Sequence, residues 1–420
     1  MNKRMIPTLT ALLLMTGIMV SSASCSLFTV KIQAEDLMKN ISAKQVTGKE
    51  PDDVFIDNTI DFALKMFKNT LIENENSLIS PVSLMLALAM ASNGAGNETL
   101  SQMQSLLGGD EISIDELNNY LFSYASKLPS VKKARTNISN SIWFRDNEDR
   151  LTVEKDFLQK NADFYGASVY KSPFDDQTLK DINNWVRNNT NRTIDKIIDE
   201  IDPDTVMYII NAIIFDAVWE KVYKKNDLYN GSFSNVAGEN QNVRFMRSTE
   251  KLYLKNDDST GFIKPYFDGE YSFVALLPDE DVAIDDYIAS MTGQSFLDII
   301  KNVQRVDVGT SMPKFRFDYS LLMNDTLKQL GMPDAFSEIN ADFSRLGKSS
   351  RGNIFIGNVV HKTYISVDEL GTKAGAVTKI ELKDKSGTSF SVVLDRPFVF
   401  AIIDNATNIP VFIGTLKNIE

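Results

Sequence analysis

The sequence has little of what catalysis and covalent bracing use most. Its 420 residues hold one cysteine, Cys25, and one histidine, His361. A lone thiol cannot close an internal disulfide, so stability must come from packing alone. The histidine sits in the apolar context Val359-Val360-His361-Lys362, where a satisfied core histidine is the plain reading. There is no Gly-x-Ser-x-Gly elbow, no His-Glu-x-x-His and no Gly-x-x-x-x-Gly-Lys-Ser/Thr. The usual hydrolase, zinc-protease and phosphate-loop signatures are thus missing. Acidic residues are abundant, but no spacing marks a carboxylate pair. The expectation is a protein that is not an enzyme and needs no cofactor or metal. Cations are the minority, with 44 Lys and Arg against 56 Asp and Glu and a net charge of -12. With no basic stripe to displace counterions, nucleic acid is excluded as a partner.

What is present begins with a targeting pattern. Lys3 and Arg4 precede a mostly apolar stretch, residues 6–20, and then the small-residue run Ser21-Ser22-Ala23-Ser24. This is the layout of a bacterial secretory signal, and it is too short and one-sided for a comfortable membrane span. Residues 1–24 are read as that signal. Cys25 follows directly, where a lipoprotein carries its lipid, although Ser22 stands where that pattern usually has Leu. Two readings stay open: a lipid on Cys25, or ordinary cleavage near Ser24 with an incidental thiol. Residues 25–52 read as a polar spacer suited to a membrane tether, and 53–420 as one folded domain. The expected location is extracellular, either secreted or lipid-anchored at the cell surface.

Periodicity then organises the domain. Ile56, Ile60, Ala63, Leu64, Phe67 and Leu71 recur at helical spacing. Pro81 opens a second helix that is apolar almost all round, which predicts burial. Asn93-Gly94 is expected to end it in a left-handed cap. Leu100, Met103, Leu106 and Leu107 predict a third helix, and 153–161, 179–188 and 321–331 read as further helices. Residues 137–144 alternate like a strand. The apolar run 207–218 fits a strand buried on both faces. Residues 271–277, 398–403 and 411–414 are further strands. Helices dominate the first third and strands the last, an α+β pattern with large sheets.

One polar segment does not read like a loop. Between Gly371 and Gly387, Thr372, Ala374, Ala376, Thr378, Ile380 and Leu382 fall on one parity. Lys373, Gly375, Val377, Lys379, Glu381 and Lys383 fall on the other. The first set is small and then apolar, and the second is mostly polar. This is the period-2 code of a half-buried strand. It fits a plain edge strand equally with a segment that is a loop in one state and a strand in another.

Five stretches together resemble the serpins: 76–103, 211–223, 312–344, 359–378 and 395–418. They include NSLISPVSLMLALAMASNGAGNETLSQM, NAIIFDAVWEKVY and VVHKTYISVDELGTKAGAVT. The resemblance covers about residues 53–420 and implies one domain with three β-sheets, about nine helices and an exposed reactive loop near the C-terminus. It places the loop's hinge at Glu369, Gly371 and Thr372, followed by the small residues Ala374, Gly375, Ala376 and Thr378. Lys373 replaces a frequent acidic residue, and Gly375 and Val377 replace common alanines. Neither change puts a bulky or charged group on the inward parity, so retained inhibition is expected. Counting sixteen residues from Glu369 puts the scissile bond at Lys385-Ser386, with Lys383 the runner-up.

The resemblance also implies machinery for parting the main sheet: His361 with Ser80, Ser83 and Asn183, and Trp219 where the loop first enters. Asn211, Phe215, Phe317 and Pro397 match scaffold positions and are read as packing. Asp216-Ala217 departs from a common Lys-Gly. The implied activity is suicide inhibition of a serine protease. The protease's serine attacks the bait bond, and the freed loop inserts into the sheet as a new strand. A Lys at the cut bond points to a trypsin-like target, held in a covalent 1:1 complex by a monomer. A non-inhibitory or substrate-like serpin acting as a binding protein is the rival reading.

Overall fold

The computed structural model describes residues 30–128, 130–131, 133–146, 150–372 and 390–419. Its centre is the strand Met207–Val218, and the apolar run there has a direct cause. Met207, Ile209, Ile213, Phe215 and Ala217 join the large core on one face. Tyr208, Ile210 and Ala212 join a smaller core on the other, with Trp143, Ile182, Trp185 and Val186. A strand covered on both faces has no solvent side on which to alternate.

This strand lies within an eight-stranded sheet. On one side of it come Ala134–Arg145, Ser168–Ser172 and the short Glu35–Asp36. On the other come Gly371–Thr372, Asn358–Val367 and Phe315–Leu322. A six-stranded sheet includes Ser259–Pro265, Tyr271–Pro278, Phe398–Asp404 and Pro410–Leu416. A four-stranded sheet runs Phe390–Val393, Val308–Pro313, Asn240–Glu250, Leu228–Ser234. A two-stranded pair, Leu151–Val153 with Gly347–Ser349, adds to the three sheets expected. Nine α-helices occur among the described residues.

The first helix is Asp53–Asn69, and the Asp52 carboxylate accepts the Phe55 N–H at its start. The second, Pro81–Ser92, is buried at every position, as its apolar sequence requires. Its end differs from expectation. Asn93 is right-handed, with φ −61°, and its side chain bonds Asn118. Gly94 is required by contact, since a Cβ there would lie 2.5 Å from Leu346 Cβ. The 321–331 helix is shorter than its pattern: Leu321 and Leu322 complete the alternating strand Phe315–Leu322, and the helix is Asn324–Gln329.

The 25–52 spacer is corrected over its described part. Glu35 and Asp36 pair with Lys171 and Tyr170 at the edge of the large sheet. The Gln33 and Ala34 N–H groups both donate to the Asp181 carboxylate, at 2.8 and 2.7 Å. Leu37, Met38 and Ile41 pack on the main core. Three apolar residues spread over five positions show no period, so only the neighbouring sheet edge gives them a structure.

Candidate functional site

The site is a fork in the large sheet. Met207–Val218 and Asn358–Val367 pair in parallel, but only from Tyr208↔Asn358 to Ala212↔Lys362. Beyond that rung they part. At the far end Gly371–Thr372 stands between them: Thr372 pairs with Ala217 on one side and Val367 on the other. Among the described residues no strand joins Ile213–Asp216 to Thr363–Ser366. Among the described residues, the direct strand pairing that closes one end of the fork does not continue into its middle.

A buried polar cluster sits at the last closed rungs. His361 is opposite Asn211, and its Nδ1 lies 2.5 Å from Asn211 Oδ1. His361 Nε2 accepts the Ser80 N–H at 3.1 Å. A backbone N–H can only donate, so Nε2 is unprotonated and Nδ1 carries the proton given to Asn211. The ring is fully buried, and burial lowers its pKa from 6.5 to about 3, which fits a neutral ring. The Asn211 amide then donates to Ser83 O at 2.9 Å, to Ser83 Oγ at 2.5 Å and to Asn140 Oδ1. These bonds tie the helix Pro81–Ser92 to three strands at the point where the sheet divides.

The expected roster needs two changes here. Asn183 is not in this cluster. Its side chain accepts from the Ile197 and Ile198 N–H groups and donates to Ile198 O, which fastens the loop after the helix Asp176–Asn189. Asn211, read from the sequence as scaffold, takes the bridging role, and Asn140 joins it. A polar residue inside an apolar strand is the signal that could have singled out Asn211. Ser80 takes part through its N–H, while its Oγ is buried without a partner among the described residues.

The mouth of the fork holds the residues expected to form the hinge. Trp219 N–H donates to Leu370 O, Trp219 Nε1–H to Asp368 O and Tyr223 N–H to Glu369 O, each at 2.9 Å. The Trp219 ring stacks on Tyr266 at 4.4 Å, and Tyr266 Oη lies 2.5 Å from Thr372 Oγ1. Thr372 is 1% exposed. A Cβ on Gly371 would lie 2.0 Å from Ala217 O, so only glycine fits this close passage. Glu369 pairs with Lys314. Burial pushes the Glu369 carboxyl up, but Lys314 outweighs it and the group is held below its ordinary value. Beneath Trp219 lies a second pair, Lys264 Nζ and Glu250 Oε1, at 2.7 Å. Burial pulls the Lys264 ammonium down; Glu250 and then Tyr223 overcome this and hold it above its ordinary value.

Glu369, Gly371, Thr372 and Trp219 thus meet at the mouth, and Ser80, Ser83 and His361 at the closed end. Ala374, Gly375, Ala376, Thr378, Lys383, Lys385, Ser386 and Cys25 lie outside the described residues. Among the described residues no cluster of three or more His, Cys, Asp or Glu could hold a metal ion. No described helix is long and apolar enough to cross a membrane.

A large sheet forked around the start of a C-terminal segment defines a protein class, and comparison with known proteins gives it a name. The family model for Serpin (serine protease inhibitor) matches residues 57–419. An uncharacterized serpin-like protein of Thermococcus kodakarensis is 30% identical over 371 residues, covering 85% of this chain and 84% of its own. The crystal structure of tengpin, a thermophilic serpin, in the native state superposes with a TM-score of 0.89 at 52% identity. It covers 92% of this chain and 100% of tengpin's. The latent-state structure of tengpin gives 0.80 at 53% identity, covering 89% and 100%. The chain belongs to the serpin family, whose members are generally protease inhibitors.

Proposed function

We propose that this serpin is an active suicide inhibitor of trypsin-like serine proteases, secreted or lipid-anchored through Cys25. The observation that carries the reading is the fork itself: the two strands part beyond Ala212 and Lys362, and Thr372 is seated between them at the mouth. The 373–389 segment continues from that residue with small side chains on the inward parity. In the proposed reaction the protease's serine Oγ attacks the Lys385 carbonyl. An ester forms, the Lys385–Ser386 bond breaks, and the Ser386 nitrogen leaves with the proton. Residues 372–382 then add between Met207–Val218 and Asn358–Val367, gaining ladder hydrogen bonds on both sides. At roughly 3.3 Å per residue, eleven residues carry the tethered protease about 35 Å along the sheet, before water deacylates the ester.

The test mixes the mature protein with trypsin, followed by denaturing electrophoresis and mass mapping. The expected result is a stable 1:1 complex and a released peptide beginning at Ser386. Lys385→Ala should lower the rate of complex formation with trypsin at least ~100-fold, as the acidic specificity pocket loses its cation. Cleavage with no complex in the parent protein would instead make it a substrate-like serpin. Unchanged trypsin inhibition in the variant would move the scissile bond, with Lys383 next.

A further inference from the structure

The segment 373–389 has two feet, and they stand on different sheets. The upstream foot, 368–372, is held at the fork by Trp219, Tyr223 and Tyr266. The downstream foot, Phe390–Val393, is the edge strand of the four-stranded sheet and runs parallel to Val308–Pro313. A continuous run of contacts joins them. Tyr223 N–H holds Glu369 O. Lys264 Nζ lies 4.4 Å from the Tyr223 ring centre and 5.4 Å from that of Trp219. It pairs with Glu250 Oε1, which also accepts from Ser248 Oγ at 2.5 Å. Ser248 Oγ lies 2.9 Å from Thr310 Oγ1, and Thr310 stands opposite Val392 in the parallel pairing.

The pair at the centre of this run is costly. The Lys264 and Glu250 side chains are 1% and 8% exposed. Taking two charges out of water carries a desolvation penalty that apolar residues of the same shape would avoid. A role other than stability accounts for its position between the feet. We propose that the buried Lys264–Glu250 pair couples the hinge to the downstream strand, so that displacing one foot loosens the other. The consequence follows from chain connectivity. While the bait bond is intact, residues beyond Thr372 can enter the fork only as far as the slack in 373–389 allows before Phe390–Val393 must leave Val308–Pro313, because the segment is tied at both ends. The coupling then sets how readily the uncut protein inserts its own loop. That consequence rests on 373–389 being the bait loop; the coupling itself does not.

Hydrogen exchange on the intact, uncut protein tests this without any protease. The Leu394 N–H, which donates to Ser311 O at 2.9 Å, and the amides of 391–393 report the downstream foot. Thr372→Arg displaces the upstream foot. In the parent it should speed their exchange roughly 5- to 10-fold, within the range of ordinary site-to-site coupling. In a background carrying Lys264→Met with Glu250→Gln the change should fall below about 2-fold. Ser248→Ala breaks a later link, leaves the ion pair in place and should abolish the response equally. It becomes the deciding variant should the charge-neutral background fold poorly. A pair that only stabilises the fold would raise exchange generally and leave the Thr372→Arg response intact. That result, or no response in the parent, overturns the coupling.

Discussion

The two ends of the fork are built from the same two strands yet held by different chemistry. At the closed end Met207–Val218 and Asn358–Val367 pair directly, and the side chains between them are neutral: His361, Asn211, Ser83 and Asn140. At the mouth two residues of a third strand separate them, and the surrounding contacts include two ion pairs and a stacked Trp219–Tyr266. Neutral hydrogen bonds can be exchanged as a sheet parts, because each donor finds another acceptor without stranding a charge. Ion pairs and stacked rings fix positions instead. The closed end therefore suits parting, and the mouth suits holding Thr372 in register, as the proposed insertion requires.

Four experiments can break or sharpen this contrast. The largest effect is expected at the mouth. Thr372→Arg would require a guanidinium where the side chain is 1% exposed, at a cost of several kcal/mol, of order ~3 or more. Loop insertion should fail, and a protease assay should show cleavage with no covalent complex. Persistence of the complex would mean that insertion does not begin at Thr372.

The second experiment is at the closed end. Asn211→Ala removes the bridging amide and leaves buried partners unsatisfied, with an expected loss of about 1–3 kcal/mol in native stability. Asn183→Ala also loses hydrogen bonds, but to the 197–198 loop. Denaturation should register both variants, whereas the yield of covalent complex should change only for Asn211→Ala. Equal effects on complex yield would return Asn183 to the opening machinery.

The third uses pH. His361 has a folded-state pKa of about 3 against an ordinary 6.5. The unfolded chain thus binds more protons across that window, and native stability falls as pH drops from about 6.5 toward 3. The slope approaches 1.4 kcal/mol per pH unit once well below 6.5. Carboxyls held low in the fold, among them Asp175, Asp342 and Glu369, have ordinary values of 3.8 to 4.5 and lose their contributions only below those. Urea denaturation between pH 6.5 and 5.5, above the range where those carboxyls take up protons, therefore reads chiefly the one histidine of the chain. His361→Gln, which can still accept from Ser80 and donate to Asn211, should flatten the profile. A slope unchanged in that variant would place the titrating group elsewhere.

The smallest effect is expected at Lys314–Glu369, whose side chains are 34% and 33% exposed. Solvent screens such a pair, and Lys314→Gln should cost no more than about 1 kcal/mol. A temperature melt showing a much larger loss would mean that the pair, rather than the backbone bonds of Trp219 and Tyr223, carries the hinge.

Much of this was legible in the amino-acid order because the physics is local. The mostly apolar runs at 82–91 and 207–218 announce burial on every side. Gly371 and Thr372 stand at the head of an alternating segment, and the structure seats them at the mouth of the fork. What stayed hidden depends on distant partners. Asn183 and Asn211 each follow an isoleucine, Ile182 and Ile210. Only the crossing of Pro81–Ser92 over the fork decides which one meets His361. Asn93-Gly94 carries the composition of a left-handed cap, but the pressure on Gly94 comes from Leu346, far along the chain. Residues 30–41 look like a tether until the edge strand Ser168–Ser172 is there to receive Glu35–Asp36.

The sequence by itself determined the α+β class, the buried helix and central strand and the absence of catalytic or metal-binding signatures, while its resemblance to the serpins implied the hinge at Glu369–Thr372. Periodicity, burial and local backbone demands are properties of neighbouring residues, and they can be read from neighbouring residues. Only the tertiary structure decided where the sheet forks, which asparagine bridges it, and that Lys264 and Glu250 share one buried site between two sheets. Those outcomes depend on which surfaces pack together, and a buried charge reveals its partner only once both have left water.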